Sequence, residues 1–595
     1  MYPVPDFSFP PALIFIVGAL FIPFFSDRLR PVYMLALPVI AFITLYSVPN
    51  GVYWEYTTAF GYKLVLGRID GLSRIFGTIF IIATFIGVIF SLKVRDKVQH
   101  VSALVYAGSA IGVTFSADFF SLYVFWEFMA IASTFLILAR KTDASQQAAF
   151  RYVMVHIFGG LSLLAGIILQ IRATGSTTFS FIGLESTASW FIFVGVAVNA
   201  AVMPLHGWLK DAYPEATATG AVFLSAFTTK SAVYVMARMF PGTPLLIWLG
   251  VAMTALPIFY AVLENDIRRV LAYSLINQVG FMLCGIGIGS ELAINGAAAH
   301  AFCHILYKAL LFMSAGAVME RTGKTRCTDL GGLYRTMPLT CLFCIIGAAS
   351  ISAFPLFSGF VSKSMIISAA DHENLIWVWL VFQFASAGVF HHAGIKVPFF
   401  MFFGHDSGLR PKEAPINMLI AMGMAAFLCV YLAINFDLLY SLLPYATHYE
   451  PYTGAHVIGQ LQLLMFGALA FCLLILSGIY PAEIRAEHLD TDWFYRKGAV
   501  WFYQIADRVL NRINVLCDTV FARGLPSLLA RFAKDAPATL TLSLLVPVVS
   551  LFNTSENERA KLIRNVNAAF ATGTVPVGIG AAASGLFILF LFWMS

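Results

Sequence analysis

Charge is scarce in this sequence. Asp, Glu, Lys and Arg make up 11% of its 595 residues and 59% are hydrophobic, whereas a soluble chain carries about a quarter charged residues. Too few polar side chains remain to cover a surface that meets water, so a soluble globular domain is excluded and a membrane protein is expected. Alternating ten-residue segments are lacking as well, which argues against strands and a transmembrane barrel and leaves an all-α chain. Cysteine is thinly spread: eight residues, mostly inside apolar runs, with Cys341 and Cys344 as an isolated C-x-x-C. Without a second pair, or histidines in register, that spacing reads as two buried thiols, and no metal site is expected. There is no phosphate-cradling glycine loop, haem-attachment pattern or iron–sulfur cysteine run, so no cofactor is expected and the chain is not read as an enzyme or electron carrier. The start, Met1-Tyr2-Pro3-Val4-Pro5-Asp6, lacks the basic leader of a cleaved signal peptide and carries an acid instead.

What the chain does have is long apolar runs, almost end to end. A helix needs about 20 apolar residues to cross the hydrocarbon. Such helices are predicted near 10–25, 32–48, 74–93, 101–117, 119–139, 149–172, 189–207, 217–240, 244–263, 269–289, 297–320, 338–370, 376–404, 413–434, 460–480 and 570–594, about sixteen in all. The run 338–370 is too long for one crossing and contains Pro355 and Gly359, so a break in its middle is expected. Arg28 with Arg30, then Lys93, Arg95 and Lys97, then Arg140 and Lys141 alternate with less basic loops, which favours the cytoplasmic side for those three. Later loops blur that bias. Residues 484–535 interleave charge with apolar residues, and Trp501, Ile505, Val509 and Ile513 recur at helical spacing, as in an amphipathic helix lying along a membrane or a partner.

Within this apolar background a few ionisable residues are conspicuous. His300, His304 and Lys308 follow one another at four-residue spacing, so they share one helix face, each drifting by about 40° and rising about 6 Å. In a bilayer such a row is tolerated where it lines water, faces its like or pairs with a carboxylate, so it reads as a proton or ion path. Glu127 sits mid-span, too short to reach an interface and too expensive to leave unpaired. Lys230 lies within a span, and Lys363 ends the stretch that begins at Phe354. A buried ammonium beside a carboxylate can load and release a proton. Lys396 reads equally as an interface-seeking side chain or as a member of the path.

Two proline motifs, Met203-Pro204-Leu205-His206-Gly207 and Phe354-Pro355-Leu356-Phe357-Ser358-Gly359, interrupt apolar helices in two halves of the chain. Paired interruptions of this kind are the trace of repeated transporter folds, whose broken helices free backbone groups beside the ion path. Together with Pro204–Leu209, Lys230 with Tyr234 and Arg238, Asp266–Ser274, the histidine–lysine row and Pro355…Gly359-Phe360…Lys363, they closely resemble the antiporter-like membrane subunits. These occur in respiratory complex I, membrane-bound hydrogenases and Mrp-type sodium/proton antiporters. The resemblance runs from about 70 to 405, and Leu489–Lys497 resembles a tail of the D-like Mrp members.

That resemblance implies two inverted five-helix repeats with broken helices, each holding half of a proton path. The domain plan is then N-terminal helices (1–100), first repeat (101–240), second repeat (241–375), additional helices (376–480), an amphipathic lateral region (481–569) and a last helix (570–595). Glu127 would be the charge-switching carboxylate, Lys230 with His300, His304 and Lys308 the central relay, and Lys363 the terminal exchange site. His156, Asn199, His206 and Lys396 are further candidates. Asn199 departs from the pattern, since it stands where relatives usually carry the lysine that partners the glutamate, and an amide cannot hold or release a proton. Glu127 should then draw its cation from His156 or Lys230, or the first half-path is altered. The expected function is proton or sodium translocation within a multisubunit antiporter, hydrogenase or dehydrogenase complex of a prokaryotic inner membrane, with no nucleic-acid partner. The alternative is a non-conducting membrane component that anchors a redox or carbon-handling module.

Overall fold

The computed structural model describes residues 9–58, 61–481, 483–484, 488–552, 554–571 and 577–594. The leader Met1–Asp6 and the start of the predicted span 570–594 lie outside this set. The chain divides into two compact units, Met1–Trp493 and Phe494–Ser595.

The first unit opens with helices α1 (Pro11–Phe21) and α2 (Arg30–Ser47). A short hairpin follows, β1 (Gly51–Thr57) against β2 (Lys63–Ile69), antiparallel with Gly51 opposite Ile69. This is a departure from the all-helical expectation. The hairpin connects two spans, where water can satisfy its edges, so it escapes the rule that bars open sheets from the bilayer. Then come α3 (Gly71–Ser91), α4 (Lys97–Phe115), α5 (Phe119–Leu138), α6 (Asp143–Thr174), α7 (Thr187–Asn199), α8 (Gly207–Ala212), α9 (Ala218–Ala226) and α10 (Thr228–Met239). They lead into α11 (Pro244–Leu263), α12 (Ile267–Ile288), α13 (Glu291–Thr322), α14 (Pro338–Ile351), α15 (Ser358–His372), α16 (Ile376–Val389) and α17 (Lys396–Pro398). Helices α18 (Ile416–Ile434), α19 (Phe436–Tyr440) and α20 (Gly454–Leu476) complete the unit. Wide π turns at Phe390–Ile395 and Phe399–Phe403 flank α17 and join it to α16 as one span. The second unit holds α21 (Ala499–Cys517), α22 (Leu525–Ser550), α23 (Glu556–Phe570) and α24 (Val577–Met594). The predicted amphipathic stripe falls on α21, within a helical run from Phe494 to Ser550.

Among the described residues thirteen helices are long and apolar enough to cross a bilayer, and Pro11–Phe24, Thr187–Asn199, Pro338–Ile351 and Ser584–Trp593 are shorter apolar ones. All but Phe494–Ser550 correspond to the predicted spans. Helix starts follow local chemistry: Asp70, Asp96, Asp118, Thr142, Ser186, Thr217 and Asp266 each accept a hydrogen bond from a first-turn N–H.

The same design occurs twice, upside down. Asp118 caps α5 and pairs across to Thr178 beyond α6, while Asp266 caps α12 and pairs across to Arg326 beyond α13. The intervening helices are both 32 residues long, and each is followed by a helix broken beside a proline. Asp118 lies with the hairpin, whose Val65 N–H donates to it at 2.7 Å. Asp266 lies on the opposite side, where the 323–337 and 404–415 loops meet through Ser407 and Gly331. That second side also carries Arg28, Lys93, Arg95, Arg140, Lys141, Lys324, Arg326, Arg335, Arg410 and Lys412. Once the broken helices are counted as single crossings the later loops reinforce the basic bias instead of blurring it, which favours the cytoplasmic side for them. It is called the basic side below.

Burial is graded across the bundle. Of the most apolar window in each span, 100% is buried for Ala218–Met239 and 94% for both α12 and α13, against 17% for α20. The polar row therefore runs along the innermost helices, shielded from lipid.

Candidate functional site: a buried lysine and histidine relay

Both broken helices expose backbone at mid-bundle. The first stops at Asn199 and restarts at Gly207, with Ala201 at φ 54° and a cis peptide bond between Met203 and Pro204. Trp208 Nε1 donates to the Val198 carbonyl at 2.9 Å, satisfying the end of the half-helix. The second stops at Ile351 and restarts at Ser358, with Ala353 at φ 56° and Leu356 at φ 71°. Lys363 Nζ donates to the Ile351 carbonyl at 3.3 Å and lies 5.2 Å from the Phe281 ring centroid. A half-helix C-terminus carries partial negative charge, so it holds a cation without needing a carboxylate.

A smaller discontinuity at Phe227 separates α9 from α10 and serves Lys230 in the same way. Its Nζ donates to the Ser225 carbonyl at 2.6 Å and to Thr229 Oγ1 at 3.1 Å. On α13, His300, His304 and Lys308 are completely buried. His300 is held from two sides: Nδ1 lies 3.2 Å from Ser362 Oγ on α15, and Nε2 lies 3.1 Å from Gln278 Oε1 on α12. Tyr307 donates to the same Gln278 oxygen at 3.1 Å. Among the described residues neither ring nitrogen of His304 nor Lys308 Nζ has a hydrogen-bond partner. Leaving a buried polar group unpaired costs about 1–3 kcal/mol, and more for a charge. His304 interacts electrostatically with Lys230, Lys308 and His300, and His300 with Lys363 and Lys230. Of the six residues predicted to form the path, five therefore fall into one cluster: Lys230, His300, His304, Lys308 and Lys363.

The sixth, Glu127, stands apart. It is half-buried on α5 with Oε1 unpartnered, pressed against Gly160 of α6. The expectation that it draws a cation from His156 or Lys230 is not met among the described residues. Lys230 is committed to the α9–α10 break, and His156 turns its Nδ1 to the Tyr152 carbonyl at 2.9 Å while stacking on the Tyr152 ring. Asn199 is buried with both its amide atoms unpartnered.

Lys396 does not seek the interface. It is fully buried, 2.8 Å from Glu483 Oε1, and it donates to the α11 C-terminal carbonyls of Val262 at 2.5 Å and Glu264 at 2.8 Å. His206 is also fully buried, with Nε2 3.2 Å from Asp490 Oδ1, and Lys210 lies 2.9 Å from Asp492 Oδ1. These partners all come from the segment that follows α20. Burial alone would raise the Asp490 carboxyl, but His206, the Tyr273 hydroxyl and the Thr491 N–H outweigh it and hold it below the usual carboxylate range.

Sequence reasoning passed over His391 and His392 in the first π turn. His392 is fully buried and interacts electrostatically with Lys308 and Lys396. The signal was the one that exposed the α13 row, adjacent ionisable residues in an apolar run. All eight cysteines are free thiols, and Cys341 and Cys344 are both buried.

Residues 116–388 match the family described as NADH:quinone oxidoreductase/Mrp antiporter, transmembrane. The chain is similar to the A-type component of the Na(+)/H(+) antiporter of Alkalihalophilus pseudofirmus, with 28% identity over 467 residues, 68% of this chain and 58% of that protein. It is also similar to hydrogenase-4 component B of Escherichia coli, with 26% identity over 416 residues, 62% of each chain. The chain therefore spans about three-fifths of the length of these relatives. Among solved structures, a chain of the Mrp complex from Dietzia sp. shares the fold with a TM-score of 0.64 at 21% identity, over 73% of this chain and 96% of that one. The segment Leu489–Lys497 lies beyond the residues that match the family.

Proposed function

From the match of residues 116–388 to the NADH:quinone oxidoreductase/Mrp antiporter family, we propose that this chain is an antiporter-like member of it and an ion-translocating subunit of a larger membrane complex. Protons are the cargo best suited to its side chains, with sodium as the second candidate. The observation that carries this reading is the fully buried cluster in which His304 and Lys308 have no hydrogen-bond partner, while Lys230 and Lys363 rest on helix-break carbonyls. A group so placed changes its protonation state at small cost in its contacts, and at low effective dielectric each change is felt by its neighbours.

The relay then runs from Lys230 through the α13 row to Lys363, with Glu127 as the switching carboxylate of the first repeat. The repeats are placed at 101–240 and 241–375. For each to hold five crossings, the second continues through the Ile376–Phe403 span. The partners would be membrane subunits of an antiporter, hydrogenase or dehydrogenase assembly, such as those in which its relatives are found.

The second reading, a non-conducting anchor for a redox or carbon-handling module, gains from the unpartnered Asn199 and the isolation of Glu127. Ion flux in everted vesicles carrying the assembled complex separates the two. Lys308→Ala should lower proton flux about a hundredfold or more, the modest end of what a positioned proton-transfer group contributes, and Glu127→Gln should lower it as well. Unchanged flux in both variants removes the translocation reading.

A further inference from the structure

The segment that follows α20 reaches back across the basic side and meets the first repeat where its helix is broken. Its Asp490 places Oδ1 3.2 Å from His206 Nε2, and both side chains are sealed from solvent, at 1% and 0% exposure. The Tyr273 hydroxyl of α12 donates to the other carboxylate oxygen at 2.8 Å. His206 Nδ1, the opposite ring nitrogen, is buried without a partner. An ionised carboxylate on one nitrogen of a buried imidazole fixes the ring and pairs its charged form, so the free nitrogen can take up and return a proton. The same segment contributes Ile484 to the wall of a cavity of about 390 Å³ on the basic side, whose lining mixes Glu215, Glu264 and Asp266 with four lysine and arginine side chains. Tyr273 interacts electrostatically with both Glu264 of that wall and Asp490.

We propose that His206 is the proton-exchange group through which the first repeat communicates with the basic side, and that Asp490 is its positioning carboxylate. The inference rests on the translocation reading above. It gives the first repeat a titratable pair in place of the lysine missing at Asn199. In the resting pair Nε2 carries the proton and faces Asp490 Oδ1 at 3.2 Å. A proton arriving from the basic side binds Nδ1 to give the imidazolium, and its release restores the neutral ring with no other bond changed. Asp492 and Lys210, paired at 2.9 Å, anchor the segment beside the exchange group. The titratable and charged groups around Asp490 are His206, Tyr273, Tyr260, Glu264 and the Lys210–Asp492 pair.

Proton flux in everted vesicles from cells expressing the full chain with its native partner subunits tests this. Asp490→Asn should cut flux at least about tenfold and change its pH profile, because the buried imidazole loses the carboxylate beside it. Asp490→Glu should recover at least half of the flux, and Asp492→Asn should stay within about twofold of wild type at equal chain abundance. Asp490→Asn combined with His206→Gln should be no worse than His206→Gln alone. If Asp490→Asn leaves flux and profile unchanged while Lys308→Ala abolishes flux, this inference is wrong and the relay stands. If Lys308→Ala has no effect either, the translocation reading itself fails. Equal losses in Asp490→Asn and Asp492→Asn with an unmoved pH profile would make the segment a structural brace and overturn the proposal.

Discussion

Gly160 decides where Glu127 can sit. A Cβ added there would collide with Glu127 Oε1, the far end of a flexible side chain. The clash is therefore cheap for folding but forces the carboxylate elsewhere. Gly160→Ala should leave chain abundance and complex assembly near wild type while lowering vesicle proton flux as Glu127→Gln does, and normal flux would show that the position of this carboxylate is unimportant. At this scale much of the site was legible from the residues alone. Ionisable side chains cost so much in an apolar helix that their presence is itself the signal, which is how Glu127, Lys230 and the His300, His304 and Lys308 row stand out. Their partners were not legible. Gln278 and Ser362, which hold His300, are unremarkable in sequence, and only the packing of α12 and α15 against α13 brings them to it.

The broken helices are where backbone geometry becomes function. Gly359 opens α15 tight against the Ser350 carbonyl oxygen near the end of α14, so a Cβ there meets backbone that cannot yield. Gly359→Ala should cost about 1–3 kcal/mol or more and disturb the Ile351 carbonyl that receives Lys363. The six buried free cysteines are natural reporters for such an experiment, because a thiol-reactive dye labels them as the protein unfolds. The variant should label at a melting temperature several degrees lower, and an unshifted transition would refute the tight packing. Proline and glycine announced the break in 338–370. The turns around α17 and the hairpin at 51–69 carried no comparable mark, since their apolar and β-branched residues also suit an ordinary helix or a loop.

Across the whole molecule, Arg268 bolts α12 to the segment between α8 and α9. It projects from the start of α12, is 1% exposed, and donates to the carbonyls of Pro214 at 2.8 Å, Ala216 at 2.9 Å and Thr217 at 3.1 Å. Hydrogen bonds to a charged group are worth about 1.5–3 kcal/mol each, and a lysine keeps the charge but not the planar fork. Arg268→Lys should lower the dye-monitored melting temperature by several degrees with the relay residues intact, and an unchanged transition would mean that these elements are held mainly by apolar packing. The basic side is likewise a property of the whole. The charges of the later loops fall into line only when each broken helix is counted as one crossing and the loops are seen to meet in space.

The sequence by itself determined the bilayer as solvent, nearly every span, the break at Pro355 and the identity of the buried ionisable groups. These follow from transfer costs and backbone sterics, which act on each residue or short run independently of the rest. Only the tertiary structure decided which of those groups share a cluster, that Glu127 meets no cation among the described residues, and that Glu483, Asp490 and Asp492 reach Lys396, His206 and Lys210. Pairing between residues hundreds of positions apart depends on how helices pack, and no local energy term carries that information.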